Sequence, residues 1–289
     1  MVKPEIKKYK FKHGLPVEFE IINIADLIRE HKTLLTSPHR ADFYHIIWIQ
    51  KGSPTHFVDF NPITIHPNSI LFVPKDCVNS FDTSTDYDGK VILFTSNFFC
   101  KNYNDIQFLQ STILYNNLYG ITQIQTSDSP NDLKILIETI ETELLKTNDY
   151  AQHDILRNYL HNFLLSAERV KLKQGFNEIK ASADLDYLLL FKDLLERNYK
   201  TDKSVNKYAS DLSISEKRLN KATSNILDKS PKELIDERVL LEAKRLLAYS
   251  NTTIKEIAFG LGFEEPTNFI KYFKKHIEQT PSEFREKHL

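Results

Sequence analysis

Cysteine is nearly absent from this 289-residue chain: Cys77 and Cys100 are the only two, and neither lies in a CxxC. That argues against a disulfide scaffold and against a cysteine-rich zinc site. No apolar run approaches the roughly 18–20 residues that span a bilayer. The opening Met1-Val-Lys-Pro-Glu-Ile-Lys-Lys8 lacks the apolar stretch of a signal peptide, so a cytoplasmic protein with no membrane partner is expected. Net charge is missing too, with 38 Lys and Arg against 39 Asp and Glu. A purely electrostatic, histone-like binder is therefore excluded. What remains, 41% hydrophobic and 27% charged residues, is an ordinary globular composition. The length allows two domains.

The clearest pattern is near the end. Ile254, Ile257, Ala258 and Leu261 recur at helical spacing. Thr253 with Glu256 three residues on forms a capping box that starts the helix. Gly262 supplies a turn that needs positive φ, and Phe263 plugs the corner. Pro266 suits the first turn of a second helix, whose predicted inner face is Phe269, Ile270 and Phe273. This is a helix-turn-helix pattern, whose second helix lies in the major groove of DNA. From Pro266 to Ile277 that helix has no acidic residue, while Lys271, Lys274, Lys275 and His276 are present.

The pattern occurs twice. Val205, Ala209, Leu212 and Ile214 repeat the spacing of Ile254, Ala258, Leu261 and Phe263, with Ala209 and Ala258 49 residues apart. A duplicated helix-turn-helix arises by chance far less readily than a single one. Between the copies, Ser230-Pro-Lys-Glu233 caps a long helix ending near Tyr249, and Thr280-Pro-Ser-Glu283 is a third capping box. In the first copy Leu219, Ala222 and Ile226 are expected inward, leaving Lys217, Asn220 and Lys221 outward for base readout. In the second copy Thr267, Asn268 and Lys271 take that role. Lysine donates to guanine O6 and N7, and asparagine pairs with adenine. Lys274 and Lys275 are expected on phosphate, as are the helix N-termini at Ser204 and Thr253. The stretch 184–289 carries 19 basic and 18 acidic residues, so any basic surface must be local.

The first half reads differently. Tyr44–Ile49, Thr55–Phe60, Ile63–Ile65, Ile70–Val73 and Val91–Thr95 are short β-branched and aromatic runs separated by Pro, Gly, Asn and Ser turns. Closely spaced strands of this kind imply a sandwich or small barrel, which can hold one small ligand. Phe43, His45, Trp48 and Phe57 are candidate linings. Because strand residues alternate, Tyr44 and Trp48 share one face of their strand and Phe43 and His45 share the other; the pattern leaves open which face is inward. Two amphipathic helices follow over 131–171, and the second has a face wide enough for a partner helix.

His39-Arg-Ala-Asp-Phe-Tyr-His45, Gly52 with His56, Pro67–Pro74 and Val78-Asn-Ser-Phe81 resemble the cupin-type sensor half of AraC-family transcription regulators. Ile257–Phe263, Phe269, Phe273-Lys-Lys275 and Thr280–Arg285 resemble the DNA-binding half of the same family, over about 184–289. The resemblance implies an α+β chain in two domains. Residues 1–173 would be a cupin-like β-barrel with a following helix pair, 174–183 a linker, and 184–289 an all-α domain with two helix-turn-helix motifs on a long connecting helix. It implies an activator that is not an enzyme and that binds double-stranded DNA and RNA polymerase. It also implies a homodimer through the helices of 131–171 and a small-molecule effector in the barrel.

Departures from the family are visible. Asn79 stands where the second cupin motif has histidine, and Arg40 and Ala41 follow His39 where a His-x-His would be. The four histidines at 39, 45, 56 and 66 lack ligand spacing, so no metal and no cofactor is expected. A metal-dependent cupin enzyme with a fused helical domain is the alternative from another class; a regulator whose barrel is empty is a third. Thr223 replaces an aromatic residue of the family pattern, and Asp228 and Glu278 replace glycines.

Overall fold

In the computed structural model, residues 6–11, 17–83, 86–116, 118, 120–127, 132–176 and 179–288 are described. The chain divides into two compact units, one within 7–178 and one within 179–289.

The first unit begins with β1 (Lys7–Tyr9), β2 (Phe19–Asn23) and a helix, α1 (Ile24–Thr36). Then come β3 (His39–Ala41), β4 (Tyr44–Lys51), β5 (Thr55–Val58), β6 (Asn61–Thr64), β7 (Ser69–Val73), β8 (Val78–Phe81) and β9 (Asp88–Phe94). Two short helices, α2 (Ser96–Phe99) and α3 (Tyr103–Ser111), precede β10 (Thr122–Gln125), and α4 (Asp132–Leu144) and α5 (Gln152–Lys173) complete the unit. The strands form two five-stranded sheets, ordered β1-β3-β8-β5-β6 and β10-β7-β4-β9-β2. Asn68 takes the left-handed conformation at the β6–β7 turn, φ 57°, which its short polar side chain tolerates. Of the two helices predicted over 131–171, the first is read from sequence as opening at Ser129-Pro130, which lies outside the described residues.

β4 is buried on both faces, and this settles its orientation. Tyr44, Ile46 and Trp48 join one core with Ile70, Phe72, Ile92 and Phe94 and with Leu156, Leu160, Phe163 and Leu164 of α5. Ile47 and Ile49 join a second core between the sheets, with Leu71, Val73, Val58 and Phe81. The Phe43 and His45 side is therefore the interior one. Among the candidate pocket linings, Trp48 is a correction: it faces the helices. Phe57 is another, since it alternates with the buried His56 and Val58 and is 39% exposed.

The second unit is helical: α6 (Ala183–Asn198), α7 (Val205–Asp211), α8 (Glu216–Leu227), α9 (Pro231–Tyr249), α10 (Ile254–Gly260), α11 (Pro266–Ile277) and α12 (Pro281–Lys287). α9 and α12 start with the capping boxes read from sequence, with proline in their first turns. Arg238 of α9 locks α6 in place: its Nε and Nη2 each donate to Glu196 at 2.6 Å, and its guanidinium lies 3.7 Å from the centre of the Tyr199 ring. Arg285 of α12 donates to the carbonyls of Leu247 and Thr252, tying down the end of α9.

Candidate DNA-binding surface

Each half of the second unit builds the same turn. The backbone N–H of Ile214 donates to the Ala209 carbonyl at 3.0 Å, and that of Phe263 to the Ala258 carbonyl at 3.0 Å. The residue before each is left-handed: Ser213 at φ 56° and Gly262 at φ 75°. At Gly262 no other residue fits, because a Cβ would stand 1.9 Å from the Lys200 carbonyl oxygen. Lys203 then covers this corner, donating to the Leu261 carbonyl at 2.5 Å with its ammonium 4.7 Å from the Phe263 ring centre.

The helices after the two turns, α8 and α11, repeat at a different offset. Their N-caps Ser215 and Glu265 are 50 residues apart, as are their left-handed C-caps Asp228 and Glu278. The N-caps of α9 and α12, Ser230 and Thr280, keep the same spacing. The shift from 49 to 50 places Glu264 as one extra residue in the second turn. Lys217 therefore matches Thr267, Arg218 matches Asn268, Asn220 matches Ile270 and Lys221 matches Lys271.

Burial follows this register. Leu219, Ala222 and Thr223 are inward on α8, as Phe269 and Phe273 are on α11. Two expectations need correcting. Ile226 is only half-buried, its inward place being taken by Thr223, whose hydroxyl donates to the Asn220 carbonyl. Ile270 is outward, at 36% exposure, because Phe269 and Phe273 already fill the inner side of α11.

Lys217, Asn220, Lys221, Asn268 and Lys271 are exposed. Among the described residues their side chains make no hydrogen bond and no ion pair. Thr267 is exposed and donates to the Glu265 carboxylate at 3.1 Å. Lys274 and Lys275 are exposed in the last turn of α11. The matching residue Arg218 is not available in the same way. Its guanidinium bonds the Asp184 carboxylate and covers the Tyr187 ring. Asn225 donates to the other Asp184 oxygen at 2.7 Å. These two bonds hold the Asp184 carboxyl below its usual range, the Asn225 contact contributing most. Asp184 thus pins α8 to the first turn of α6.

α11 is held from behind. Tyr272 Oη donates to Asp236 Oδ1 of α9 at 2.7 Å, Lys232 Nζ reaches the same oxygen at 2.6 Å, and His276 Nε2 lies 3.4 Å from Oδ2.

The two helix N-termini expected to receive phosphate differ. Ser204 makes no side-chain cap and is exposed. At Thr253 the Glu256 carboxylate accepts from both the backbone N–H, at 2.8 Å, and the hydroxyl, at 2.7 Å. Thr253 thus caps α10 through a closed capping box, with a carboxylate beside the helix N-terminus.

In the first unit three imidazoles face inward. His39 and Asn79 pair across β3 and β8, and His56 lies on the same face of β5 as Val58. His45 of β4 and His56 are buried, and His45 Nδ1 and both nitrogens of His56 lack a hydrogen-bond partner by geometry. Burial pushes the pKa of both below the usual range, that of His56 to about 3, and each further feels His39. Among the described residues no three His, Cys, Asp or Glu side chains are placed to hold a metal.

Two tandem helix-turn-helix heads on a shared central helix, in one chain with a double-sheet unit, define a DNA-binding transcription regulator with a sensor-type domain. The family model for the AraC-like ligand binding domain matches residues 26–147, and a helix-turn-helix domain model matches 208–287. The HTH-type transcriptional activator RhaS of Yersinia pestis is 23% identical over 252 residues, covering 86% of this chain and 88% of its own. RhaS of Yersinia pseudotuberculosis matches to the same extent. Among solved structures, ToxT from Vibrio cholerae is 17% identical with a TM-score of 0.45, covering 93% of this chain and 97% of its own. The chain belongs to the AraC family of transcription regulators. No helix among the described residues is long and apolar enough to cross a membrane.

Proposed function

We propose that α8 and α11 enter successive major grooves on one face of duplex DNA, about 34 Å or one helical turn apart, and read bases from equivalent positions. The observation that carries this is the unspent pair Lys221 and Lys271. Both are exposed, both sit at the same place in the repeat, and among the described residues neither ammonium makes a hydrogen bond or a close ion pair, Lys221 feeling Asp184 only at longer range. Lys217, Asn220, Thr267 and Asn268 complete the reading set, and Lys274, Lys275 and the α7 N-terminus at Ser204 meet phosphate. Lys271→Ala should weaken specific binding by about 1 kcal/mol or more, a fivefold or greater rise in Kd, in an anisotropy titration at fixed salt. Unchanged affinity removes Lys271 from the interface.

The chain acts in the cytoplasm as an activator that contacts RNA polymerase, and it does no catalysis. The sign follows the RhaS relatives, which are activators by name. It works as a homodimer: Leu165 and Leu172, seven residues apart on α5, are 44% and 42% exposed, and with Glu168 and Arg169 between them they make a mixed apolar and charged face for a second copy. Sedimentation of the full chain should show a dimer that Leu165→Glu dissociates, and a monomeric wild type ends that assignment. The effector site lies on the inter-sheet face that carries His45 and His56. His45 Nδ1 is a buried polar atom without a partner by geometry, which a bound polar molecule would satisfy. A metabolite that occupies it should raise the unfolding temperature of the wild type.

A further inference from the structure

Thr267, Ile270, Lys271 and Lys274 fall at i, i+3, i+4 and i+7 of α11 and are all exposed. They form one outward stripe. Three of the four have an evident use on DNA; a surface isoleucine does not, and a β-branched residue is a weak choice on an exposed helix face. The core does not claim it. The inner side of α11 is filled by Phe269 and Phe273, both at 0% exposure, with Phe263 and Phe284 packed edge-on against them. Nor does the surface around Ile270 suit an apolar protein partner, because a threonine and two lysines flank it within one turn. A partner that is anionic at its edges and offers a single methyl group at its centre matches this stripe. In the major groove that group is the C5-methyl of thymine.

We infer that Ile270 is a specificity-determining residue of the second head, packing on the 5-methyl group of a thymine. This rests on the proposal that α11 lies in the major groove. The register of the repeat sharpens it. Asn220 holds the matching place on α8, so the first head presents Lys217, Asn220 and Lys221 where the second presents Thr267, Ile270 and Lys271. The first set reads by hydrogen bonds alone, through groups that suit guanine and adenine. The second replaces the central hydrogen-bonding group with a hydrocarbon. The two half-sites are therefore not copies of one sequence, and the second must contain a thymine that the first does not require.

The test uses the full chain and duplexes selected from a random library. Each thymine of the selected site is replaced in turn by deoxyuridine, which removes only the methyl group, and affinity is measured by anisotropy. For the wild type, one deoxyuridine in the second half-site should weaken binding about fourfold, the worth of one buried methyl. Ile270→Ala should bind the thymine and deoxyuridine duplexes alike, while Ile270→Val keeps most of the discrimination. Circular dichroism should show both variants folded, since the side chain is on the surface. The inference is overturned if Ile270→Ala keeps the methyl sensitivity of the wild type, or if no thymine of the second half-site matters. Failure to select any sequence at all would instead sink the DNA-reading proposal beneath it.

Discussion

Phe269→Ala should lower the stability of the unit within 179–289 by about 3–5 kcal/mol, the cost of emptying a buried aromatic site. Phe269 is fully buried, with ring centres of Phe263 and Phe273 at 5.4 and 5.8 Å. These three rings join the turn to the recognition helix, and Phe273 continues the chain of contacts to Phe284 of α12. Little can collapse into the gap. Gly262 is pressed against Lys200, and α11 is anchored to Asp236 by Tyr272, so neither flank of the cavity is free to move. Urea unfolding should show a lower midpoint with an unchanged slope. Lys275→Ala, an exposed neighbour on the same helix, should stay within about 0.5 kcal/mol of wild type. A loss for Phe269→Ala near the lysine variant's would mean that the second head does not depend on this aromatic packing.

The same helix shows what could be read from residues and what could not. The capping boxes at Thr253, Ser230 and Thr280 were legible because a cap needs only two side chains three positions apart, a local rule. All three are formed. The duplication was legible too, through the small Ala209 and Ala258 and the turn after each. Its register was not. Matching the first helices gives 49, and carrying that number past the turn misplaces α8 against α11 by one residue. The signal that corrects it was present in Ser230-Pro231 and Thr280-Pro281, which are 50 apart. On a helix one residue is about 100°, and at an offset of 49 Asn268 would fall on the buried Leu219 instead of on Arg218. Arg218, its true counterpart, was missed because its engagement depends on Asp184, 34 residues away in sequence.

The sheet unit failed to yield its orientation for a different reason. Alternation identifies the inward face only when the other face is polar, and β4 has apolar residues on both because α5 covers the side away from the opposing sheet. Helix α1 and strand β10 were not anticipated. β10 is four residues, Thr-Gln-Ile-Gln, whose two buried positions, Thr122 and Ile124, are too few to set a period. It is defined by its antiparallel pairing with β7.

That interior face carries the second large expected effect: the 7–178 unit should lose stability as pH falls below about 6.5. His45 and His56 are buried, and burial disfavours the charged form in the folded state; Asp82 and Asn79 beside His56 only partly offset it, and His56 titrates there at about 3. In the unfolded chain both return to about 6.5. Between those limits the unfolded state binds more protons than the folded one, so stability rises with pH and drains away on acidification, levelling off only near the folded pKa. From pH 6.5 to 5 His56 alone should cost about 1.5 kcal/mol, and His45 adds in the same direction. His39 and His153 are shifted down as well and add in the same direction. Carboxylates held low in the second unit, such as Asp184 and Glu256, titrate below this window and leave it clear. Replacing His56 with glutamine should remove the His56 share of the decline between pH 6.5 and 5, whatever it does to stability at pH 8. If the variant keeps the wild-type slope, the buried imidazole at 56 is not what acid attacks. A bound polar effector that satisfies the nitrogens of His45 and His56 should change that slope more in the wild type than in the glutamine variant, which keeps only the His45 share, so this titration also tests whether a ligand reaches the histidines.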